Sequence, residues 1–116
     1  MKETKLKIFE IVGSNAAVST EAGQKVFMLL DKAFQNNIAA ILDFKEIRLM
    51  TSAFLNAAIG QLYSKYSSDK LQSLIKLENI SPQNKFLIKK VVDSAKEYFS
   101  NKEKMDKIID QSFEND

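Results

Sequence analysis

Two adjacent hydroxyl side chains, Thr51 and Ser52, are the residues of this 116-residue chain whose type and position could carry chemistry. They follow a short turn and precede a segment with apolar residues at helical spacing, so they are predicted to open a helix. A hydroxyl at a helix start accepts a backbone N–H bond, which contributes about 1 kcal/mol. The same position tolerates a phosphate, because the free N–H groups and the helix dipole favour negative charge. A capping role alone and a role as phosphoacceptor are both open for these two residues.

Five residues around this turn are candidates for contact with a partner protein: Asp43, Arg48, Met50, Phe54 and Asn56. Asp43 ends an apolar run, and its first expected role is to accept hydrogen bonds from the amides of the following turn. Arg48 could pair with an acidic partner or a phosphate, although loop charges are commonly just solvated. Asn56 lies on the polar side of the predicted helix, where it would contact either a partner or water.

The chain contains no cysteine and no histidine. This excludes disulfides, thiolate chemistry, Cys–His and Ser–His mechanisms, and the commonest zinc ligands. Its glycines, at positions 13, 23 and 60, fit neither a phosphate-cradling loop nor a dinucleotide fingerprint. Asp106 and Asp110 are one helical turn apart. Acid–base catalysis by such a pair needs a neighbouring group that makes their pKa values differ, and none is expected here. We therefore expect a binding protein without cofactor or metal rather than an enzyme.

The net charge of +2 arises from 17 basic and 15 acidic residues that are largely interspersed. Because the predicted strands are mainly aliphatic, they lack the interleaved basic and aromatic residues of a nucleic-acid surface. The first ten residues have no apolar core of a signal peptide, and no later apolar run approaches membrane length. We expect a cytoplasmic protein that neither inserts into a membrane nor binds nucleic acid.

Three strands are predicted from the spacing of apolar residues. Residues 5–12 and 74–80 show the alternation of half-buried strands, whereas residues 38–44 are apolar almost throughout. A run that is apolar on both faces is typical of a central strand covered by helices, so residues 38–44 are predicted to lie in the middle of the sheet.

Four amphipathic helices are predicted between and after these strands. The first begins at Ser19-Thr20-Glu21, which offers an N-cap and an acidic residue in the first turn, and ends at Asn36-Asn37, since asparagine tolerates the left-handed conformation of a helix end. The second runs from the Thr51-Ser52 turn to Tyr66. The third starts at Ser81-Pro82 and ends at Ser100-Asn101, which leaves a short fourth helix at residues 102–113.

The resulting order, β-α-β-α-β-α-α, predicts an α/β fold with a small mixed or mostly parallel sheet and right-handed crossovers. The length is that of one domain, with a core at residues 5–100 and the last helix docked on it. The junction between the central strand and the second helix lies at a sheet edge, where α/β folds usually carry their sites.

The segment LDFKEIRLMTSAFLNAAIGQLY resembles the STAS domain of anti-sigma factor antagonists, and more closely the bacterial STAS-like family of unknown function. The matching residues are Leu42-Asp43-Phe44, Ile47, Met50-Thr51-Ser52 and Phe54-Leu55-Asn56. The apolar helix that follows Pro82 also resembles the C-terminal part of the family. Three positions depart from the pattern. Thr51 stands where antagonists commonly have Asp, and Ala53 and the bulky Phe54 replace the small residues that usually follow the serine. Ala53 also stands where many STAS-like relatives have Ser.

This resemblance implies an interaction module rather than an enzyme, with a regulatory serine at the start of a helix. In the antagonists that serine is phosphorylated by an ATP-binding kinase of the histidine-kinase-like type, and phosphorylation releases the partner. Ser52 inherits this position. The leading hypothesis is therefore a regulatory domain that binds such an ATPase through residues 49–59. The alternative is a structural module that uses the same surface for constitutive assembly, with no modified residue.

Overall fold

The computed structural model describes residues 2–114, together with the side chains of residues 2–100. It has an α/β fold, as predicted. The elements in chain order are β1 (Glu3–Lys7), α1 (Ile8–Val12), β2 (Ala16–Ala17), α2 (Thr20–Gln35), β3 (Ala39–Asp43), β4 (Leu49–Met50), α3 (Ser52–Ala58), a 3₁₀ helix (Gly60–Ser64), α4 (Ser68–Leu74), β5 (Ile75–Glu78) and α5 (Pro82–Glu114).

The main sheet has the strand order β1-β3-β5, with β3 parallel to both neighbours. The prediction that the apolar run at residues 38–44 forms the middle strand is confirmed. The register aligns Lys7 with Asp43 and Asp43 with Glu78. The carboxyl ends of all three strands therefore meet at one edge of the sheet.

The two faces of this sheet differ in burial. Leu6, Leu42 and Leu77 form one row across the strands, and Leu42 is fully buried in the core beneath the helices. On the other face Ile41 lies between Lys5 and Lys76 and is half-buried. Ion pairs cross this face from Lys5 to Glu78 at 3.0 Å and from Lys76 to Glu3 at 3.1 Å.

The first strand is shorter than predicted, because the chain forms helix α1 from Ile8 onward. Pairing with β3 ends where Lys7 meets Asp43. Beyond it, Ile8, Ile11 and Val12 share one face of a helical turn, with Ile8 buried, and Gly13 closes that turn at φ 79°. The β-branched residues of this segment favour a strand locally, but burial of their common helical face determines the observed structure.

Helix α2 agrees with the prediction at both ends. The Ser19 hydroxyl accepts a hydrogen bond from the Ala22 N–H at 3.1 Å, which makes Ser19 the N-cap. After the helix Asn37 adopts φ 57°, the left-handed conformation that an asparagine tolerates. Helix α2 therefore follows from local sequence signals.

The predicted helix from the Thr51-Ser52 turn to Tyr66 is wrong as one continuous element. Helix α3 ends at Ala58, and a 3₁₀ helix begins at Gly60, a residue type that weakens a continuous helix. The chain then forms helix α4, which was not predicted and for which the Ser67 hydroxyl is the N-cap. The last strand is correspondingly shorter than the predicted residues 74–80.

Helix α5 starts as predicted, with Pro82 as its first residue and the Ser81 hydroxyl accepting from the Asn84 N–H at 3.2 Å. The predicted end at Ser100-Asn101 is wrong, because the helix continues through both residues to Glu114. Serine and asparagine lower helix propensity far less than glycine or proline, so neither breaks a helix by itself. The predicted separate helix at residues 102–113 is part of α5.

The carboxylates of Asp106 and Asp110 lie outside the side chains that the structure describes. Within residues 2–114, no helix combines the length and the apolar character needed to cross a membrane.

Candidate functional site

The start of α3 is held by Thr51. Its hydroxyl oxygen accepts a hydrogen bond from the Phe54 N–H at 3.3 Å, so Thr51 is the N-cap. The same hydroxyl donates to the Val18 carbonyl at 2.8 Å, and the Thr51 N–H donates to the Ala17 carbonyl at 3.2 Å. Thr51 thus fixes the start of α3 to the segment that precedes α2.

Ser52 has a different environment. It is the first residue of α3 and is exposed. Within the part of the chain whose side chains are described, its hydroxyl has no hydrogen-bond partner, because Thr51 supplies the cap. The sequence left the capping role open for both residues; Thr51 is the cap, and Ser52 is exposed.

Two short strands, β2 and β4, form the platform beside this helix start. They pair in parallel, Ala16 with Leu49 and Ala17 with Met50. The inward residues Ala17 and Met50 are buried, whereas Leu49 is 57% exposed and Val18, which follows β2, is 38% exposed. Two exposed apolar residues therefore lie in the segments that position Thr51.

We call the exposed set Val18, Arg48, Leu49, Ser52 and Asn56 the α3 surface. Asn56 lies one turn after Ser52 on the same face of α3. The backbone of Arg48 is held by its N–H, which donates to the Asn15 carbonyl at 2.8 Å, and the residue is exposed. Sequence reasoning missed Val18, because its place beside Thr51 depends on a parallel pairing between distant segments.

Met50 and Phe54, two of the predicted partner contacts, are not on this surface. They are 5% and 1% exposed and belong to the hydrophobic core. Met50 points inward because it alternates with the outward Leu49, and Phe54 because it lies on the face of α3 that packs against the domain. Their contribution to a partner surface is indirect, through the packing that positions α3. Contact of Arg48 and Asn56 with a partner stays a prediction.

Close packing of α2 on α3 fixes the position of the helix. A Cβ atom built on Gly23 in α2 would collide with the carbonyl oxygen of Phe54 and would lie 2.7 Å from the Cβ of Ala57. Only a glycine allows the two backbones to approach this closely. Gly23 therefore has a packing role.

Asp43 lies at the end of β3, and its side chain is 6% exposed. Its Oδ1 atom accepts hydrogen bonds from the Lys45 N–H at 3.0 Å and from Asn79 Nδ2 at 2.9 Å. The predicted role of Asp43 as acceptor for a turn amide is confirmed. The bond from Asn79, followed by that from Lys45 and by the charges of Lys5 and Lys7, holds the pKa of Asp43 below its usual value of 3.8.

A pocket of about 430 Å³ opens at this edge of the sheet. We call it the sheet-edge pocket; its lining consists of Lys5, Lys7, Phe9, Glu10, Asp43, Lys45, Glu46 and Asn79. Two of these residues, Glu46 at φ 70° and Asn79 at φ 54°, have positive φ angles. Asp43 thus faces this pocket, whose lining within the described residues includes none of the α3 surface.

The family model of the STAS-like domain of unknown function (DUF4325) matches residues 22–85 of the chain. The chain belongs to this family. The resemblance predicted from the segment around Thr51 and Ser52 is therefore confirmed. The match includes most of α2, the strand β3 with Asp43, and every residue of the α3 surface except Val18. No curated protein and no solved structure matches the chain.

Proposed function

We propose that this STAS-like chain is a non-enzymatic regulatory domain that binds a protein partner through the α3 surface. The proposed partner is an ATP-binding protein of the histidine-kinase-like type, which phosphorylates Ser52. One observation carries the proposal: Ser52 is exposed at the start of α3, and the neighbouring Thr51 already supplies the cap. The Ser52 hydroxyl is therefore accessible to a kinase, and its modification does not remove a capping hydrogen bond.

The environment of Ser52 explains how a phosphate would act as a switch. A phosphoserine carries about −1.5 to −2 charges, and at a helix start it meets unpaired N–H groups that accommodate it. The fold would therefore tolerate the modification. The same charge would stand on the surface that also carries the exposed residues Leu49 and Val18, whose contact with a partner requires removal of water. Phosphorylation would release the partner without unfolding the domain.

The alternative is constitutive assembly through the same surface, with no modification. The two functions differ in their response to charge at Ser52. The test is to recover the partner from native cells with the tagged chain, purify it, and measure its affinity for the wild-type chain and for Ser52→Ala and Ser52→Asp. The regulatory function predicts that Ser52→Ala binds like wild type and Ser52→Asp at least about tenfold more weakly, the effect of roughly 1.4 kcal/mol.

A matched control is Ser73→Asp, which places the same charge at an exposed serine of α4 outside the α3 surface. This variant is expected to bind like wild type. Equal affinities of Ser52→Ala and Ser52→Asp would reject the switch and favour constitutive assembly.

A further inference from the structure

The sheet-edge pocket has the position of a ligand site. It lies where the carboxyl ends of three parallel strands meet, the edge at which α/β sheets usually bind small molecules. Its volume of about 430 Å³ falls within the usual range for small-molecule sites. Two residues of its lining, Glu46 and Asn79, have positive φ angles, a form of backbone strain that clusters at functional sites. The proposed phosphorylation of Ser52 does not use this pocket.

Asp43 supplies an acceptor in this pocket. Both of its hydrogen bonds end on Oδ1, and within residues 2–100 its Oδ2 atom has no hydrogen-bond partner. Because its pKa lies below the usual value, the carboxylate is ionised at neutral pH and can only accept hydrogen bonds. The bonds from Lys45 N–H and Asn79 hold its orientation. A ligand must therefore offer Oδ2 a donor, and a cationic donor forms the strongest such bond.

Lysine side chains supply the opposite charge. Lys5 is already paired with Glu78 at 3.0 Å. Lys7 is 3.8 Å from Glu10, a long and exposed pair, and among the described side chains Lys45 has no ion-pair partner. Lys7 and Lys45 are therefore the ammonium groups open to an anionic group of a ligand.

The charge balance of the lining selects among ligand classes. Because Lys5 is paired with Glu78, which is not part of the lining, two lysines, Lys7 and Lys45, face three carboxylates, Glu10, Asp43 and Glu46. A phosphate or another simple anion would meet more acidic than basic groups. A metal ion is also a poor fit, because the described residues contain no group of three or more potential ligands close enough to hold one. A molecule with one positive and one negative group matches both halves of the lining.

We propose that the sheet-edge pocket binds a free α-amino acid with an apolar side chain. Its ammonium group binds Asp43 Oδ2, its carboxylate binds Lys7 and Lys45, and its side chain packs against Phe9, a residue that is 37% exposed. Each charge of the zwitterion then meets an opposite charge of the lining.

The test is a titration of the isotope-labelled full chain with L-phenylalanine, followed by amide NMR shifts. We expect saturable shifts at Asp43, Lys45 and Asn79. Two analogues separate the contributions: N-acetyl-L-phenylalanine lacks the ammonium group, and 2-phenylethylamine lacks the carboxylate. Because each loses one charge-assisted contact, both are expected to bind at least about tenfold more weakly.

Variants assign the contacts to residues. Asp43→Asn keeps the shape of the side chain but removes its charge, and Lys45→Gln removes an exposed ammonium group; each is expected to weaken binding of L-phenylalanine about tenfold. Lys32→Gln, an exposed lysine of α2 outside the pocket, is the matched control and is expected to bind like wild type. If Asp43→Asn does not fold, Lys45→Gln alone decides the result.

Three results would overturn the proposal: no saturable shifts at millimolar L-phenylalanine, binding of either analogue as tight as that of L-phenylalanine, or unchanged affinity of Lys45→Gln.

Discussion

Asn79 Nδ2 donates a hydrogen bond of 2.9 Å to Asp43 Oδ1, and this bond joins the turn after β5 to the end of β3. Asn79 is placed for this contact by its own backbone, which adopts φ 54°. The Phe44 N–H donates to the Glu78 carbonyl at 3.0 Å and extends the same junction. The side chain that fixes this edge of the sheet thus belongs to a residue whose backbone conformation few residue types tolerate.

Substitution of Asn79 tests this junction. Asn79→Gly keeps the positive φ but removes the hydrogen bond, whereas Asn79→Ala also strains the backbone. We expect both variants to raise the pKa of Asp43, because the bond from Asn79 is the largest cause of its depression. Asn79→Ala should lose about 2 kcal/mol in the free energy of unfolding, and more than Asn79→Gly. Urea unfolding and an NMR titration of Asp43 measure the two effects; an unchanged pKa would contradict the assignment.

Tyr66 makes stability sensitive to alkaline pH. Its hydroxyl donates to Asp31 Oδ1 at 2.6 Å, and burial together with this carboxylate raises the pKa of Tyr66 from 10.0 to about 12. The folded state therefore favours the protonated form, so this stabilisation is complete below pH 10 and is lost between pH 10 and about 12. We expect Tyr66→Phe to be less stable at neutral pH but to show a flatter decline above pH 10 in urea unfolding. Tyr98→Phe, at an exposed tyrosine, should retain the wild-type pH profile.

Asp31 and Asp43 make stability sensitive to acid. Hydrogen bonds from Lys65 and Tyr66 lower the pKa of Asp31 from 3.8, and those from Asn79 and Lys45 do the same for Asp43. Since the folded pKa values are the lower ones, the stabilisation is present above pH 3.8 and is lost as pH falls below it. We expect Asp31→Asn to flatten the acid limb of a plot of unfolding free energy against pH. A limb as steep as that of the wild type would reject the contribution of Asp31.

Gly23 limits the distance between α2 and α3. In Gly23→Ala the new methyl group would collide with the Phe54 carbonyl and the Ala57 side chain. We expect a loss of about 1–3 kcal/mol in the free energy of unfolding, although alanine is the better helix former. Lys25→Ala, at an exposed position of the same helix, should change stability little. A Gly23→Ala variant as stable as the wild type would mean that the two helices separate without cost.

The two hydroxyls at the start of α3 should differ in their effect on stability. Thr51→Val removes both the cap and the bond to the Val18 carbonyl, so we expect a loss of about 1–2 kcal/mol, largely restored in Thr51→Ser. Ser52→Ala should change the free energy of unfolding by less than about 0.5 kcal/mol. Thermal unfolding of the three variants measures this difference, and equal losses at both positions would contradict the division of roles.

Local signals predict the helices α2 and α5 at their starts and the buried strand β3, because a cap residue or an apolar run specifies each of them within a few positions. The errors occur where a distant segment decides the structure. Ile8 forms a helix because the partner strand ends at Asp43. The pair β2 and β4 requires contact between residues more than thirty positions apart, for which a single sequence carries no signal.

The candidate site shows the same limit. The sequence indicates hydroxyls at a helix start, but the Val18 carbonyl that engages Thr51 is brought there by the fold. The inward direction of Met50 follows from its pairing with Ala17. The sheet-edge pocket combines residues from three strand ends and a short helix, so no local sequence motif predicts it.

The most direct test of the proposed function is the phosphorylation state of Ser52 in native cells. The tagged chain is purified under phosphatase inhibition, its intact mass is measured, and the modified residue is mapped by peptide fragmentation. We predict a fraction heavier by one phosphate group, mapped to Ser52, absent in Ser52→Ala and retained in Ser94→Ala. A chain that is recovered with its partner but carries no phosphate at Ser52 under any growth condition would contradict the regulatory switch and leave constitutive assembly.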